Sequence, residues 1–410
     1  MTLNRYLTAQ EAAEALNISL STLYAYVSRG LIRSEPGGGK NRARLYHVED
    51  IKRLQDRKTF RRNPDKAAEG ALHAGAPVLE SAITLITDDC LYYRGHNALE
   101  LALQQPVEAV ATLIWTGRLD GQIDWTAAPM ALSSRCRAVA LHLQDLKPIE
   151  KFQALLPVAA ADDLPAYDLQ AGAVAQTGAR ILRQMTIIAT DGGFGGQNTA
   201  QSLQQAWVPA NPEARSLLSA TLILCADHEL NASAFTARCA ASTGAMPYAV
   251  VSAGLAALQG FKHGTASAQV EAFLTEVENT PSIRQAIVNR LKRGDSIPGY
   301  GHVIYQGVDP RATVLHRLLT DLYPGAPALA LANAIIHEAG QLTDRRHNID
   351  FMLATLARVL HLPDGGAPAL FALGRTIGWI GHAIEQYQHP HIIRPRARYV
   401  GQRPFLAAGG

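Results

Sequence analysis

Three apolar runs, Leu217–Cys225, Ala249–Leu258 and Leu329–Ile336, are too long and too rich in Ala or Leu to be ordinary strands. Ala and Leu lose little side-chain freedom in a helix, whereas strands draw on β-branched and aromatic residues. The whole chain repeats the bias, since 48% of it is hydrophobic but only 6% aromatic. An all-α fold is therefore predicted, and 410 residues are enough for two or three domains. Shorter apolar stretches such as Val107–Trp115 fit helix or strand. The Gly-rich stretch from Asp191 to Gly196 reads as a loop, because it lacks the GxGxxG spacing, a preceding strand and a P-loop Lys.

The formal charge of +3 conceals an uneven distribution. Residues 1–66 carry 13 Lys or Arg against 7 Asp or Glu, a balance of +6, while residues 67–410 carry 25 against 28, or −3. A basic head precedes a slightly acidic body. The four cysteines, Cys90, Cys136, Cys225 and Cys239, have no CxxC spacing and read as reduced, mostly buried thiols. No basic segment followed by an apolar stretch opens the chain, and no run nears the ~18 apolar residues of a membrane span. A cytoplasmic protein without a membrane partner is expected.

In the head, Thr8 and Glu11 read as a capping box that opens a helix through Leu16, and Ser19 or Ser21 opens a second that ends at Gly30. Leu16, Ile18, Leu23, Val27 and Leu31 can close a small core. Arg42-Ala43-Arg44-Leu45-Tyr46 alternates like a strand, and His47 to Leu54 returns to helix. This order resembles the winged helix-turn-helix of the MerR and excisionase type. The second helix of such modules enters the major groove, which implies base-facing roles for Thr22, Tyr24 and Arg29. Lys40, Arg42 and Arg44 of the wing would contact phosphates, making DNA an expected partner of residues 1–66. A helical appendage with a solvated basic face is the plainer alternative.

Four signatures in the second half of the chain carry residues suited to catalysis. They are His228 in Asp227-His228-Glu229-Leu230-Asn231-Ala232-Ser233, His263 in Gly260-Phe261-Lys262-His263-Gly264, His302 in Gly299-Tyr300-Gly301-His302, and Asp350 in Asn348-Ile349-Asp350-Phe351. Gly beside His suits a place where a ligand approaches the backbone closely. Taken singly, each has an ordinary reading, as a structural His or a helix-capping Asp. In this order, with Asp309-Pro310-Arg311, Gly374-Arg375-Thr376-Ile377-Gly378-Trp379 and Ile393-Arg394-Pro395-Arg396, they resemble the citrate synthase family, including its 2-methylcitrate synthase branch. Glu80-Ser81-Ala82-Ile83-Thr84 and Leu91-Tyr92-Tyr93-Arg94-Gly95-His96 extend the resemblance upstream. The sequence departs from the family at Lys262, where an aliphatic residue is usual, and at Thr265, where a second Gly is usual.

The resemblance implies a two-domain, all-helical body: a large domain from 67–265 and 357–410, with a small domain of 266–356 inserted, behind the winged head of 1–66. It also implies the reaction, condensation of acetyl-CoA with oxaloacetate and water to citrate and CoA. Such a step needs a base for the thioester methyl and an electrophile for the oxygen that becomes an enol. By resemblance Asp350 is the base, a neutral His263 faces the thioester oxygen, and His302 protonates the ketone. His228, Arg311 and Arg375 would bind oxaloacetate, and Arg394 would reach in from the other subunit of a homodimer. The backbone of Pro298-Gly299-Tyr300-Gly301 would read the adenine of CoA. No metal or cofactor is implied, acetyl-CoA being a substrate. Lys262 either lowers the basicity of His263 or points to solvent. Propionyl-CoA is the alternative substrate, since one methylene is worth only ~1–3 kcal/mol of discrimination. A regulator that binds DNA through the head and senses metabolites through the body is an alternative of another kind.

Overall fold

The computed structural model describes residues 6–401 apart from 17, 29–30, 37–43, 49, 52–78, 88, 193–197, 265, 306 and 396–398. Contacts divide the chain into two compact units, Met1–Glu80 with Arg394–Gly410, and Ser81–Ile393.

In the first unit, Thr8 accepts from the Glu11 N–H at 3.3 Å while its own N–H donates to Glu11 Oε2 at 2.8 Å. This reciprocal box opens the helix Ala9–Leu16. Ser19 caps the next helix, Leu20–Ser28, by accepting from the Thr22 N–H at 3.2 Å. The wing is antiparallel: Arg44–His47 pairs with Ser34–Pro36 on one side and with Tyr6–Leu7 on the other. Ala12, Ala13, Leu16, Leu23, Ile32, Tyr46 and Ile51 form the core. Leu31, expected in that core, is exposed, and its neighbour Ile32 is buried instead. The turn after the second helix leaves helical period, so the inward position shifts by one residue. Tyr24 and Arg44 are exposed and Thr22 is half-buried, whereas Arg29, Lys40 and Arg42 lie outside the described residues.

The second unit begins with a small antiparallel sheet, Thr84–Ile86, Leu91–Tyr93 and His96–Asn97, where the sequence reading placed only helices. Leu91 and Tyr93 point inward with Tyr92 between them, a period of two that a strand satisfies. From Ala98 onward the described elements are helical. The runs expected to be helical lie in Ala214–Leu224, Pro247–Leu258 and Pro327–Leu342, and Val107–Thr116 is a helix too. Pro at the first position of Pro247–Leu258, Pro310–Leu322 and Pro327–Leu342 is preorganised for a helix start.

The core is threaded by Gly366–Tyr387, a 22-residue helix buried on nearly every side. Gly374 and Gly378 let it approach the 222–227 segment closely. A Cβ at Gly374 would fall 2.5 Å from the Leu222 carbonyl oxygen, and one at Gly378 2.4 Å from Asp227 Oδ1. No helix among the described residues is long and apolar enough to cross a membrane. All four cysteines are free, with Cys136 and Cys225 buried and Cys90 and Cys239 half-buried.

Candidate active site

Three helices of the second unit each begin at an Asx cap beside an expected site residue. Asn231 accepts from the Ala234 N–H at 3.1 Å and starts Ala232–Ser242, three positions after His228. Asp309 caps Pro310–Leu322 and holds Arg311 through two bonds of 3.0 and 2.8 Å. Asn348 caps Ile349–Val359 by accepting from the Asp350 and Phe351 N–H groups. Since Asn348 does the capping, the Asp350 carboxylate is left for other work. Its Oδ1 is buried with no hydrogen-bond partner among the described residues.

Two buried guanidinium groups tie these helices together electrically. Arg311 acts on His228, His302 and Asp350, and Arg375 acts on His228, His263 and Asp350. Arg375 is fixed by donating Nε–H to the Cys225 carbonyl at 2.9 Å, and it lies 4.8 Å over the Phe371 ring. The imidazole of His263 meets the same ring edge-on at 6.3 Å.

His228 and His302 meet edge to face at 5.1 Å, and Tyr305 lies against both rings. The Tyr305 hydroxyl is 3.0 Å from His228 Nε2. His302 Nδ1 accepts from the Ile304 and Tyr305 N–H groups at 3.0 and 3.3 Å. An accepting ring nitrogen carries no proton, so the neutral ring holds its proton on Nε2, as a donor.

All three imidazoles are disfavoured as cations. Burial and then Arg375 bring His263 down to about 4. Burial, Arg311 and Arg375 hold His228 well below the ordinary imidazole value, and burial with Arg311 lowers His302. Lys262 lies over the Phe261 ring at 5.6 Å and is exposed, so it takes the solvent-facing reading. Asp350 moves the other way: burial raises its carboxyl to about 6 against the pull of Arg311 and Arg375. Asp309 is also buried, but Arg311 keeps it below the carboxylate range. At neutral pH the site therefore holds a carboxylate base, three neutral imidazoles and two fixed cations.

The Pro298–Gly301 loop is tied to the residues that lead into Asp350. Gly301 N–H donates to Arg346 O at 2.7 Å, and Asn348 N–H donates to Gly299 O at 2.9 Å. Asn348 Nδ2 donates to Gly301 O at 3.0 Å. Gly299, with φ +74°, would bring a Cβ within 2.8 Å of Phe351 and Val270, so only Gly fits.

Arg394 is exposed, makes no hydrogen bond or ion pair among the described residues, and belongs to the first compact unit. Thr265 lies outside the described residues. Tyr305 carries no sequence signal of its own, three positions after His302, while Ser233 and Asp309 fall inside the quoted signatures of His228 and Arg311 without a role assigned to them there. A separate recess of about 410 Å³, lined by Gln104, Pro106, Glu108, Asn198, Glu213 and Arg215 among others, holds none of the site residues. Its Glu108 is already engaged by the Thr199 N–H at 2.8 Å. Chemistry, not hollow volume, locates the site. Among the described residues no group of three or more His, Cys, Asp or Glu is arranged to hold a metal ion.

Residues 71–396 match the family described as citrate synthase, C-terminal domain, and residues 6–59 match a helix-turn-helix domain. The chain is 31% identical over 359 residues to a citrate synthase of Haloferax volcanii, covering 80% of this chain and 95% of that one. It is 37% identical over 201 residues to putative citrate synthase 2 of Mycobacterium tuberculosis, covering 47% of this chain and 53% of that protein, about half the relative's length. Among solved structures, citrate synthase from Thermotoga maritima superposes with a TM-score of 0.69 at 25% identity, over 80% of this chain and 95% of that one. With the family match spanning most of the chain and the Haloferax volcanii likeness running nearly the length of that relative, the chain belongs to the citrate synthase family and carries a helix-turn-helix domain at its N-terminus.

Proposed function

We propose that this chain condenses acetyl-CoA with oxaloacetate and water to give citrate and CoA. The observation that carries the reading is Asp350: a half-buried residue whose Oδ1 is buried with no partner among the described residues, ionised at neutral pH and acted on by both Arg311 and Arg375, which together or singly act on the three imidazoles as well. Asp350 takes a proton from the thioester methyl while His263 donates to the thioester oxygen, so the enol forms without a free enolate. For this the Ser233 hydroxyl, which donates to Asn231 Oδ1 at 2.9 Å, turns to donate to His263 Nε2, 2.8 Å away, and leaves the imidazole proton on Nδ1, so a turn of one O–H selects the working tautomer.

The enol carbon then attacks the ketone of oxaloacetate as the enol O–H proton returns to His263 Nδ1, and His302 gives its Nε2 proton to the new alkoxide, a loss made good by the proton that Asp350 took up. His228, Arg311 and Arg375 bind the dicarboxylate, the two arginines matching its charge. Water then cleaves the thioester and releases CoA. We assign 266–356 to a small domain that closes over 67–265 and 357–410 and excludes water, with the 298–301 loop binding the adenine of CoA. Arg394 completes the site of a second subunit in a homodimer, and four free cysteines suit a reducing cytoplasm. Propionyl-CoA is the rival substrate.

The test is CoA release by purified protein with oxaloacetate and either thioester. Turnover supports the reading, and the ratio of kcat/KM values selects acetyl or propionyl. No release from either, in folded protein that binds oxaloacetate, rejects it. The helix-turn-helix match and the charge of +6 on residues 1–66 favour a second role alongside the first, DNA binding by the head. Binding to genomic fragments should weaken steeply with salt, and no binding at low salt rejects that role.

A further inference from the structure

Behind His228 and Arg375 lies a carboxylate that touches no expected substrate position. Asp227 is fully buried. Its Oδ2 accepts from the Thr84 hydroxyl at 2.5 Å and from the Glu229 N–H at 3.2 Å, and its Oδ1 meets His382 Nε2 at 3.2 Å. The Tyr93 hydroxyl is 3.3 Å from the Asp227 N–H and 3.2 Å from its carbonyl oxygen. Every one of these bonds fixes the residue immediately before His228.

Two consequences point forward into the site. The bond to Glu229 N–H closes a tight turn around His228 in which Glu229 takes φ +52°, a left-handed conformation that a non-Gly residue holds only when its surroundings impose it. That turn sets the direction of the His228 ring. The second consequence concerns Arg375. Gly378 seats the last long helix against Asp227 Oδ1, and Arg375 lies one turn earlier on that helix, donating to Cys225 O two residues before Asp227. Asp227 is the main negative charge acting on this buried guanidinium, which Asp309 does not clamp as it does Arg311.

We propose that Asp227, held by Thr84 and His382, is a positioning residue for the oxaloacetate half of the site, aiming His228 through the 227–229 turn and balancing the charge of Arg375. Resting on the citrate synthase reading, the proposal separates the two substrates. Disturbing Asp227 moves the dicarboxylate subsite and leaves the CoA loop, which is built from 298–301 and 346–348, where it was.

The experiment is steady-state kinetics of Asp227→Asn and Thr84→Val in the full chain, with melting curves and with oxaloacetate affinity measured by calorimetry. Asp227→Asn should raise the KM and Kd for oxaloacetate by about tenfold or more while acyl-CoA KM stays within about twofold. Thr84→Val, which removes one donor and keeps the charge, should raise oxaloacetate KM by about threefold. A carboxylate that served only packing would lower the melting temperature with both KM values unchanged or shifted together, and that result overturns the proposal. Should Asp227→Asn fail to fold, Thr84→Val decides: an oxaloacetate KM equal to that of the unmodified protein overturns it. If the unmodified chain releases no CoA from either thioester, the citrate synthase reading falls and this inference with it. If it does, and both variants keep their oxaloacetate KM, this inference alone falls.

Discussion

In the described part of residues 6–51, seven apolar side chains make the core, and the buried charged residue, Asp50, is covered by Arg33 through bonds of 2.9 and 3.2 Å. In the described part of Ser81–Ile393 the interior instead takes in ten: Asp163, Arg183, Asp227, His228, Arg238, Asp309, Arg311, His347, Arg375 and His382. The first pattern is how a small domain meets its needs, with polar groups kept at the surface and the N-termini of its two helices capped by Thr8 and Ser19. The second costs desolvation of each charge, which attraction between partners only partly offsets. A chain keeps such groups inside where chemistry or a fixed partner uses them: six of the ten belong to the expected site or to the layer directly behind it, whereas Asp163, for example, is held by Arg180 away from it. Within the body, the clustering of buried charge marks the candidate site better than hollow volume does.

The most severe way to test that contrast is to remove the base. Asp350→Ala should lower turnover by about a thousandfold or more while oxaloacetate affinity, measured by calorimetry, changes by less than about threefold. Ordinary turnover would show that the unpartnered oxygen is an unused packing feature.

Next in size is a test of Arg394, which the structure leaves exposed while the other expected catalytic and substrate-binding residues are buried or half-buried. Arg394→Ala and His302→Ala should each be nearly inactive alone. Mixed and reassembled, they should regain activity, because one site of the mixed dimer then holds an intact His302 and the intact arginine of the other chain. Absence of recovery, with mixed dimers demonstrated, would remove Arg394 from a shared site.

The head can be cut away to ask whether the two regions work separately. Deleting residues 1–66 should abolish DNA binding and leave kcat/KM within about twofold. A large loss of turnover would mean that the head supports the site.

What the sequence disclosed follows the same division. The head was legible through local rules, since Thr8, Glu11 and Ser19 act within three or four positions of themselves, but Leu31 against Ile32 turned on a register that only the fold decides. In the body, the long Ala- and Leu-rich helices were written in neighbouring residues, whereas the helix that Asp350 was expected to cap is capped by Asn348 two positions earlier. The layer behind the site was not. Thr84 and Asp227 lie 143 positions apart and Asp227 and His382 lie 155 apart, so no local pattern couples them. The sheet at Thr84–Asn97 was hidden for a different reason: its strands run only two or three residues, too short for a periodic signal to outweigh the helical context.

The smallest expected effect bears on the cost of keeping charge inside. The Asp350 carboxyl titrates at about 6, above its ordinary 3.8, because burial penalises the ionised form. The folded state therefore binds this proton more tightly than the unfolded state, and the group weighs against folding above pH 6 and not below about 4. The penalty is at most on the order of 3 kcal/mol, and less because the residue is only half-buried. Asp350→Asn should accordingly raise the melting temperature by a few degrees at pH 8 and by much less at pH 4. Turnover of the unmodified protein has the opposite use for the same proton: Asp350 works only when ionised, so kcat/KM should climb from pH 5 to 7 with a midpoint at about 6. An equal melting shift at both pH values would place the carboxylate in water and erase the difference between the two regions at its most telling residue.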